Sequence, residues 1–582
     1  MLLASRASPP KQLQVPTQSR NTAALKEFLL HSPLPSPALP SILPRHGKKP
    51  PALNTRRTLR YISWLFIVTT TIYLVLFVRS LRVNLPSDAL EKVYQHTNGH
   101  AYEIVEDSQL PDYASPLAVT DSSGSSRWTI HIPSNRGFPL QSQEYSEICS
   151  HIDDVARHVA IAQGQEEDAN SKRGYYDADP NYVDVAEAQL NDLIPFDPNF
   201  VPTKPGQLPV CKSSLIYILD ASDAGLGGSL LGLWLSYGLA QREKRSFFID
   251  DSHFAYGRYS SLFEPPSRPN CRPAPPTHRV PCPRMSQHLV VTASTWSSTF
   301  GNTFHKKFND KEVFELMRVG YEGLFKLLPD DQLYVAQRVT ELRTILGEET
   351  LLAGMHIRRG DKHPEEFQYQ WGYVPFAKYL EALTELVSDT SSFSLTTLEQ
   401  PKHSRKLIFV LASDDEAVYH DPELQNSTIR AQERIDLAHN NQLSNPLNEG
   451  WERGFYSSAF WGLGLPRQAR TQQFNLAESP SPTKDTKYEQ RVLGISAANG
   501  EEYDPHRDYR SNPTAASLRL RNHIGRSYLL DLAVLAQSDR LVCTASSRGC
   551  RILGVMMGWE KVQKGWWRNI DRAGEVSWRA QL

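Results

Sequence analysis

The sequence predicts an α/β protein: two doubly wound domains facing a cleft, preceded by a single transmembrane helix. Three observations carry this. Strand-like apolar runs alternate with helix-like segments, in two series. Polar clusters recur just behind the strand-like runs, where doubly wound sheets bind ligands. A long uncharged apolar stretch separates a basic N-terminal segment from the rest.

The N-terminal segment, residues 1–60, holds ten Lys or Arg and one acid, Glu27. That is +9, and the net charge of −1 over 582 residues leaves −10 for the remainder. Its SPLPSPALPSILP composition reads as a disordered basic cytoplasmic tail. Residues 61–78, YISWLFIVTTTIYLVLFV, lack charge, Pro and Gly. At 1.5 Å per residue they span about 27 Å, enough for a bilayer core. The stretch starts too far into the chain for a cleaved signal peptide. Basic residues stay cytoplasmic, so the larger part is expected in the lumen, as a single-pass type II protein. All six cysteines follow the apolar stretch, where disulfides form, and an even count fits pairing, with fifteen pairings open. Asn426-Ser427-Thr428 is the one Asn-x-Ser/Thr sequon, a glycosylation site if lumenal.

Residues 79–204, with acidic patches such as QGQEED, read as a lumenal stem. Residues 205–345 read as the first α/β subdomain: SLIYILD as a strand, ASDAGLGG as a loop, SLLGLWLSYGLAQREK as a helix and SFFIDD as a strand, followed by HLVVTAS and KEVFELMRVGYEGLFKLL. Residues 346–560 repeat the rhythm with LLAGMHI, PFAKYLEALTELVSD, KLIFVLASDD, SYLLDLAVLAQS, DRLVCTAS and SRGCRILGVMMG. Two insertions interrupt it, at 388–406 and 421–515, and residues 561–582 read as a C-terminal tail.

Several groups point to anion chemistry. Gly225 to Gly228 stand between strand and helix, where backbone can approach a phosphate or make a tight turn. HIRRGDKHPEE, His356 to Glu366, follows a buried strand. Arginine there can grip phosphate in a bidentate fork, one side chain facing the cleft while its neighbour is held by a carboxylate. Alternatively Arg358 and Arg359 pair with Asp361, Glu365 and Glu366 on the surface. Asp414 and Asp415 suit helix capping or a metal. Asp177-Ala178-Asp179 has the D-x-D form of metal-dependent sugar transferases, but lies in the expected stem. Asp531 sits inside an apolar helix and needs a partner, either an arginine or the N–H groups of a bound base. Ser546 and Ser547 could bind phosphate through hydroxyls and backbone N–H groups.

Three stretches, HIRRGDK, KLIFVLASDDEAVY and RSYLLDLAVLAQSDRLVCTASSRGC, together resemble the α1,6-fucosyltransferases of glycosyltransferase family 23. Cys211, AGLGG, FIDDSHFAYGRYSSLFEP and Cys271 resemble the start of that family's catalytic region, so the likeness covers roughly residues 205–560.

The resemblance implies a GT-B-like fold and inverting, metal-independent transfer of fucose from GDP-fucose, with no cofactor. Arg358 would grip the pyrophosphate, with Arg359, Asp361 and Lys362 completing that motif. His356 would lie near the guanosine, and Asp531 would read guanine. Gly225, Gly227 and Tyr256 would lie over the donor, and Ser546, Ser547 and Arg548 would form the pyrophosphate loop. Glu366 falls at the catalytic base, with Glu365 its competitor. Asp414, Asp415 and Tyr379 would support the site. The resemblance implies disulfides Cys211–Cys271 and Cys543–Cys550, which leaves Cys149–Cys282. The expected partners are a GDP-sugar, a glycan acceptor such as an N-glycan, and a Golgi membrane through one span; no nucleic acid is expected. A peptide O-fucosyltransferase-like enzyme and a non-catalytic glycan-binding protein are the alternatives.

Overall fold

In a computed structural model, apolar strands alternate their side chains between two separate cores. In β4 (Ser214–Ile218), Leu215 and Tyr217 enter one hydrophobic cluster while Ile216 and Ile218 enter another. In β7 (Ala353–Ile357) every residue is buried, as a parallel strand covered on both faces requires. The structure describes residues 103–104, 110–165, 173–196, 206–220, 225–347, 351–359, 373–388, 408–436 and 512–571, with short pieces of 451–509 and 576–579. All of these lie in one compact unit, Asn98–Leu582. The basic tail and the apolar stretch 61–78 lie outside the described residues. Among the described residues no helix is long and apolar enough to cross a membrane.

The chain opens with β1 (Glu103–Ile104), β2 (Ser115–Thr120) and β3 (Ser126–His131), then α1 (Ser142–Ala162) and α2 (Val185–Leu190). The first doubly wound sheet follows: β4, α3 (Leu226–Arg242), β5 (Ser246–Asp250), β6 (His288–Val291), then α4 (Trp296–Lys307), α5 (Asp310–Leu324) and α6 (Pro329–Leu346). Its strand order is β5-β4-β6, all parallel. The second sheet takes β7, α7 (Phe376–Ser388), β8 (Phe409–Ser413) and β9 (Thr428–Arg430). A small hairpin, β10 (Trp451–Glu452) and β11 (Phe455–Tyr456), precedes α8 (Ala515–Leu535). The chain continues through β12 (Arg540–Cys543), α9 (Arg548–Met557) and α10 (Trp559–Gln563) to β13 (Trp567–Asn569). This sheet runs β13-β12-β7-β8-β9, again all parallel.

The α/β layout expected from the apolar runs is present, with three differences. First, much of the expected stem is folded. Residues of β2, β3 and α1 share a core with Ile216, Ile218 and Val290. They cover one face of the first sheet, and Cys149–Cys282 ties α1 to the segment before β6. Trp128, Tyr145 and Val155 are buried in this layer, and the acidic residues of QGQEED, 166–168, lie outside the described residues. Second, the 421–515 insertion begins with β9, which pairs with β8 and completes the sheet edge. Third, the expected tail supplies β13, paired with β12, and Trp567 and Trp578 pack into the main core. The 388–406 insertion lies outside the described residues after Ser388.

Disulfides join Cys211–Cys271 and Cys543–Cys550, as the resemblance implied, and Cys149–Cys282, the pair that this left. Asn426 is exposed, in the turn before β9.

Candidate functional site

In the second sheet β7 is the first strand in sequence, and chain order departs from it in both directions, to β8 on one side and β12 on the other. The carboxyl ends of β7 and β12 therefore flank the switch point, the place where such sheets open a crevice for ligands. His356 on β7 is paired in register with Cys543 on β12. Behind these strand ends come Arg358 and Arg359 on one side and Ser546 and Ser547 on the other.

Ser547 is the N-cap residue of α9. The first-turn N–H groups of a helix have no intrahelical acceptor and favour anions. The crevice around this end admits no side chain at two glycines. A methyl on Gly549 would lie 2.9 Å from His356 Cε1 and 2.9 Å from the Tyr528 hydroxyl. A methyl on Gly227, in the first turn of α3, would lie 2.8 Å from Arg548 Cβ. Gly225 is the N-cap of α3. The helix starts of the two sheets thus meet at Gly227 and Arg548, so the glycine loop and the serine loop close on one place. Tyr256 packs over Gly525 of α8, where a methyl would meet its ring at 2.8 Å.

The two arginines are sorted by the carboxylate of Asp414. It pairs with the Arg358 guanidinium and accepts the Arg359 backbone N–H at 2.7 Å. Arg359 turns the other way. Its guanidinium lies 3.9 Å from the Phe376 ring centroid and 4.8 Å from that of Tyr373, and donates to the Val374 carbonyl at 3.3 Å. The arginine expected to face the pyrophosphate is therefore the one ion-paired to a carboxylate, while its neighbour is held by aromatic faces. Asp415 caps the short helical turn Glu416–His420 by accepting from Ala417 N–H at 3.0 Å. Tyr379 is buried in α7 against this sheet, and burial pushes its phenol up.

His356 is 3% exposed, and its Nδ1 has no hydrogen-bond partner among the described residues. Burial, with the nearby Arg358 charge, pushes the imidazole down to about 4, against the opposing pull of Asp414. The ring is neutral at physiological pH.

Asp531 lies in the apolar middle of α8, 7% exposed. Burial holds its carboxyl well above the usual range, with Asp414 and Glu416 adding to the rise; Arg430 and the Gln432 backbone N–H oppose it. Its Oδ1 is without a partner among the described residues. An arginine does not pair with it directly: Arg430 is committed to a bidentate contact with buried Glu416. A buried carboxylate with one open oxygen suits a ligand that brings N–H groups.

The serine loop differs from expectation in one respect. Its backbone N–H groups are already used: Ala545 donates to Asn569 Oδ1 at 2.7 Å, Ser546 to Asp571 Oδ2 at 2.9 Å, and Ser547 to the Thr544 carbonyl at 2.9 Å. What remains is the Ser546 hydroxyl, buried and without a partner among the described residues, and the first turn of α9.

Asp361, Lys362, Glu365 and Glu366 lie outside the described residues, as do Ala221 to Ala224. Asp177 and Asp179 are structural. Asp179 accepts from Trp128 Nε1 at 3.0 Å and pairs with Arg173 at 3.0 Å, while Asp177 accepts from Gly174 N–H at 2.6 Å. Among the described residues no group of three or more His, Cys, Asp or Glu could hold a metal ion.

Sequence reasoning missed five contributors: Arg430 at the end of β9 and Gln432 just behind it, Phe460, and Asn569 at the end of β13 with Asp571 just behind it. Phe460 packs on Tyr256 at 5.7 Å, and its carbonyl accepts from buried Arg521 at 2.7 Å. All five lie in stretches read as insertion or tail, whose apolar pattern is too short to announce a strand.

No family model and no curated protein matches the chain. Among solved structures it is similar to the NodZ α-1,6-fucosyltransferase soaked with GDP-fucose, at 13% identity and TM-score 0.26, over 59% of this chain and 93% of that one. The same enzyme co-crystallised with GDP gives 12%, TM-score 0.27, and coverage of 59% and 92%. NodZ from Bradyrhizobium gives 12%, TM-score 0.24, and coverage of 59% and 93%.

Proposed function

We propose that this chain is a GT-B-like glycosyltransferase that binds a GDP-sugar at the β7–β12 switch point and transfers fucose from GDP-fucose to a glycan hydroxyl. The observation that carries the reading is the closed helix end. The His356 ring packs by Cε1 and Nε2 against Gly549 in the first turn of α9, the buried Ser546 directly precedes that helix's N-cap, and Gly227 from the other sheet's helix packs against Arg548. Such an end holds a pyrophosphate through N–H groups and a guanidinium. Asp531, one strand away, offers its open oxygen to the N–H edge of a base.

In the proposed reaction an acceptor oxygen attacks C1 of the sugar from the face opposite the nucleotide. The C1–O bond to the β-phosphate breaks, and its electron pair leaves with GDP. The acceptor proton passes to a carboxylate, Glu366 in this assignment. Negative charge growing on GDP is stabilised by Arg358, Lys362 and the α9 terminus. Release of Arg358 from Asp414 onto the pyrophosphate exchanges one anionic partner for another. No metal takes part in this reaction, in line with the sequence resemblance. Residues 61–78 and the basic segment before them support a type II Golgi membrane protein with this unit in the lumen.

The test is titration of the purified lumenal part with GDP, followed by transfer from GDP-fucose to glycan and peptide acceptors. Arg358→Ala is expected to weaken GDP binding at least tenfold, in the range of roughly 1.5–3 kcal/mol for a charged hydrogen bond, and to abolish transfer. Unchanged GDP affinity in that variant would sink the donor-site assignment.

A further inference from the structure

The segment behind β13 takes no part in the chemistry above, yet it holds the serine loop. We infer that Asp571, with Asn569, is a positioning residue for the donor: it fixes the 545–547 loop so that the Ser546 hydroxyl and the first turn of α9 face the pyrophosphate. This rests on the donor-site reading and deepens it.

Four observations support the assignment. Neighbouring N–H groups of the loop, Ala545 and Ser546, are taken by side chains two residues apart, Asn569 and Asp571, at 2.7 and 2.9 Å. Asn569 also accepts from the Asp571 backbone N–H at 3.3 Å, which sets the geometry between the two acceptors. Asn569 is itself in register with Cys543, the residue that opens the disulfide-closed turn to Cys550. The loop is thus pinned at its base by a covalent bond and along its back by β13.

The fourth observation separates this from an ordinary turn. Asp571 is 8% exposed, and its Oδ1 has no partner among the described residues; the Ser546 hydroxyl is likewise buried and unmet. Leaving a carboxylate oxygen buried and unmatched destabilises a fold, so stability alone does not account for it. A carboxylate close to a phosphate site is also unfavourable for anion binding by charge alone. Its value lies in direction: a side-chain oxygen at residue 571 accepts the Ser546 N–H from behind the loop. By drawing the Ser546 N–H backward, Asp571 turns the hydroxyl of the same residue forward.

The experiment is a double-mutant cycle on GDP affinity, read by calorimetry, with thermal midpoints measured alongside. Asp571→Ala is expected to weaken GDP binding about tenfold, and Ser546→Ala to do so by a similar factor. Because one residue acts through the other, the double variant should be no weaker than Asp571→Ala alone. Asp571→Asn keeps an oxygen acceptor, removes the charge and should hold GDP affinity within about threefold of the parent. If Asp571→Ala fails to fold, Asn569→Ala carries the same cycle with Ser546→Ala. Additive losses, unchanged GDP affinity in Asp571→Ala, or intact GDP affinity with a collapsed kcat in Asp571→Asn would each overturn the positioning role. Failure of the parent protein to bind GDP, or indifference to Arg358→Ala, would instead mark failure of the donor-site reading itself.

Discussion

At the residue scale, His356 couples the site to acidity. Its imidazole is pushed down to about 4, whereas an unfolded histidine titrates near 6.5. Between those values the unfolded chain binds a proton that the folded chain does not. The stabilisation is therefore complete above pH 6.5 and is lost as the pH falls toward 4. His288, also pushed down to about 4 by burial, acts in the same direction. His356→Gln should flatten the fall in stability across this window by up to about 1.4 kcal/mol per pH unit, measured by urea unfolding at stepped pH. An equally steep fall in the variant would show that His356 titrates normally. Asp531 drew notice in the sequence as a polar residue inside an apolar run, and His356 through the HIRRGDK cluster and its resemblance; the structure buries both. The resemblance singled out Arg358, but how the two arginines are held was not legible. Asp414, 55 residues beyond Arg359, pairs with Arg358, and the rings of Tyr373 and Phe376 take Arg359.

At the element scale, the strand-end pattern was legible wherever a strand is buried on both faces. β4, β7, β8 and β12 each show an unbroken apolar core, and each was found. The two strands missed in the second sheet are short edges: β9 has three half-buried residues, and β13 has one buried residue, Trp567. Edge strands bury one side, so their apolar signal is weak, and what defines them is the neighbour they pair with. The helix-to-helix approach of α3 and α9 could be tested at its narrowest point. In Gly227→Ala the new methyl meets Arg548 Cβ at 2.8 Å. Overpacking of this kind should lower stability by roughly 1–3 kcal/mol in denaturant titration. Because the same contact closes the crevice, GDP affinity should fall with it; wild-type affinity and stability together would show that the two helices part freely.

At the scale of the whole molecule, the largest departure is the layer formed by β2, β3 and α1. Its own residues, such as Leu117, Trp128 and Val155, were in plain view. Their partners Ile216 and Val290 lie from 61 (155 to 216) to 173 (117 to 290) residues further along, beyond the reach of any local pattern. The layer is stitched down by Cys149–Cys282, which spans 133 residues. Closing so long a loop restricts the unfolded chain strongly, so the paired Cys149→Ser and Cys282→Ser variant should lose roughly 2–5 kcal/mol in urea titration. A loss below that range would mean the layer docks by its apolar face alone. The place of β13 has a consequence for how the protein is made. The sheet that builds the donor crevice receives this strand after all its others, and the serine loop is held from behind it. On the ribosome, where domains fold as they emerge, the first sheet and its covering layer can assemble early. The proposed nucleotide site must wait until residues 567–571 are made and free to pair, so a chain cut only slightly short of that point would carry a nearly finished fold and an unset loop at Ser546 and Ser547.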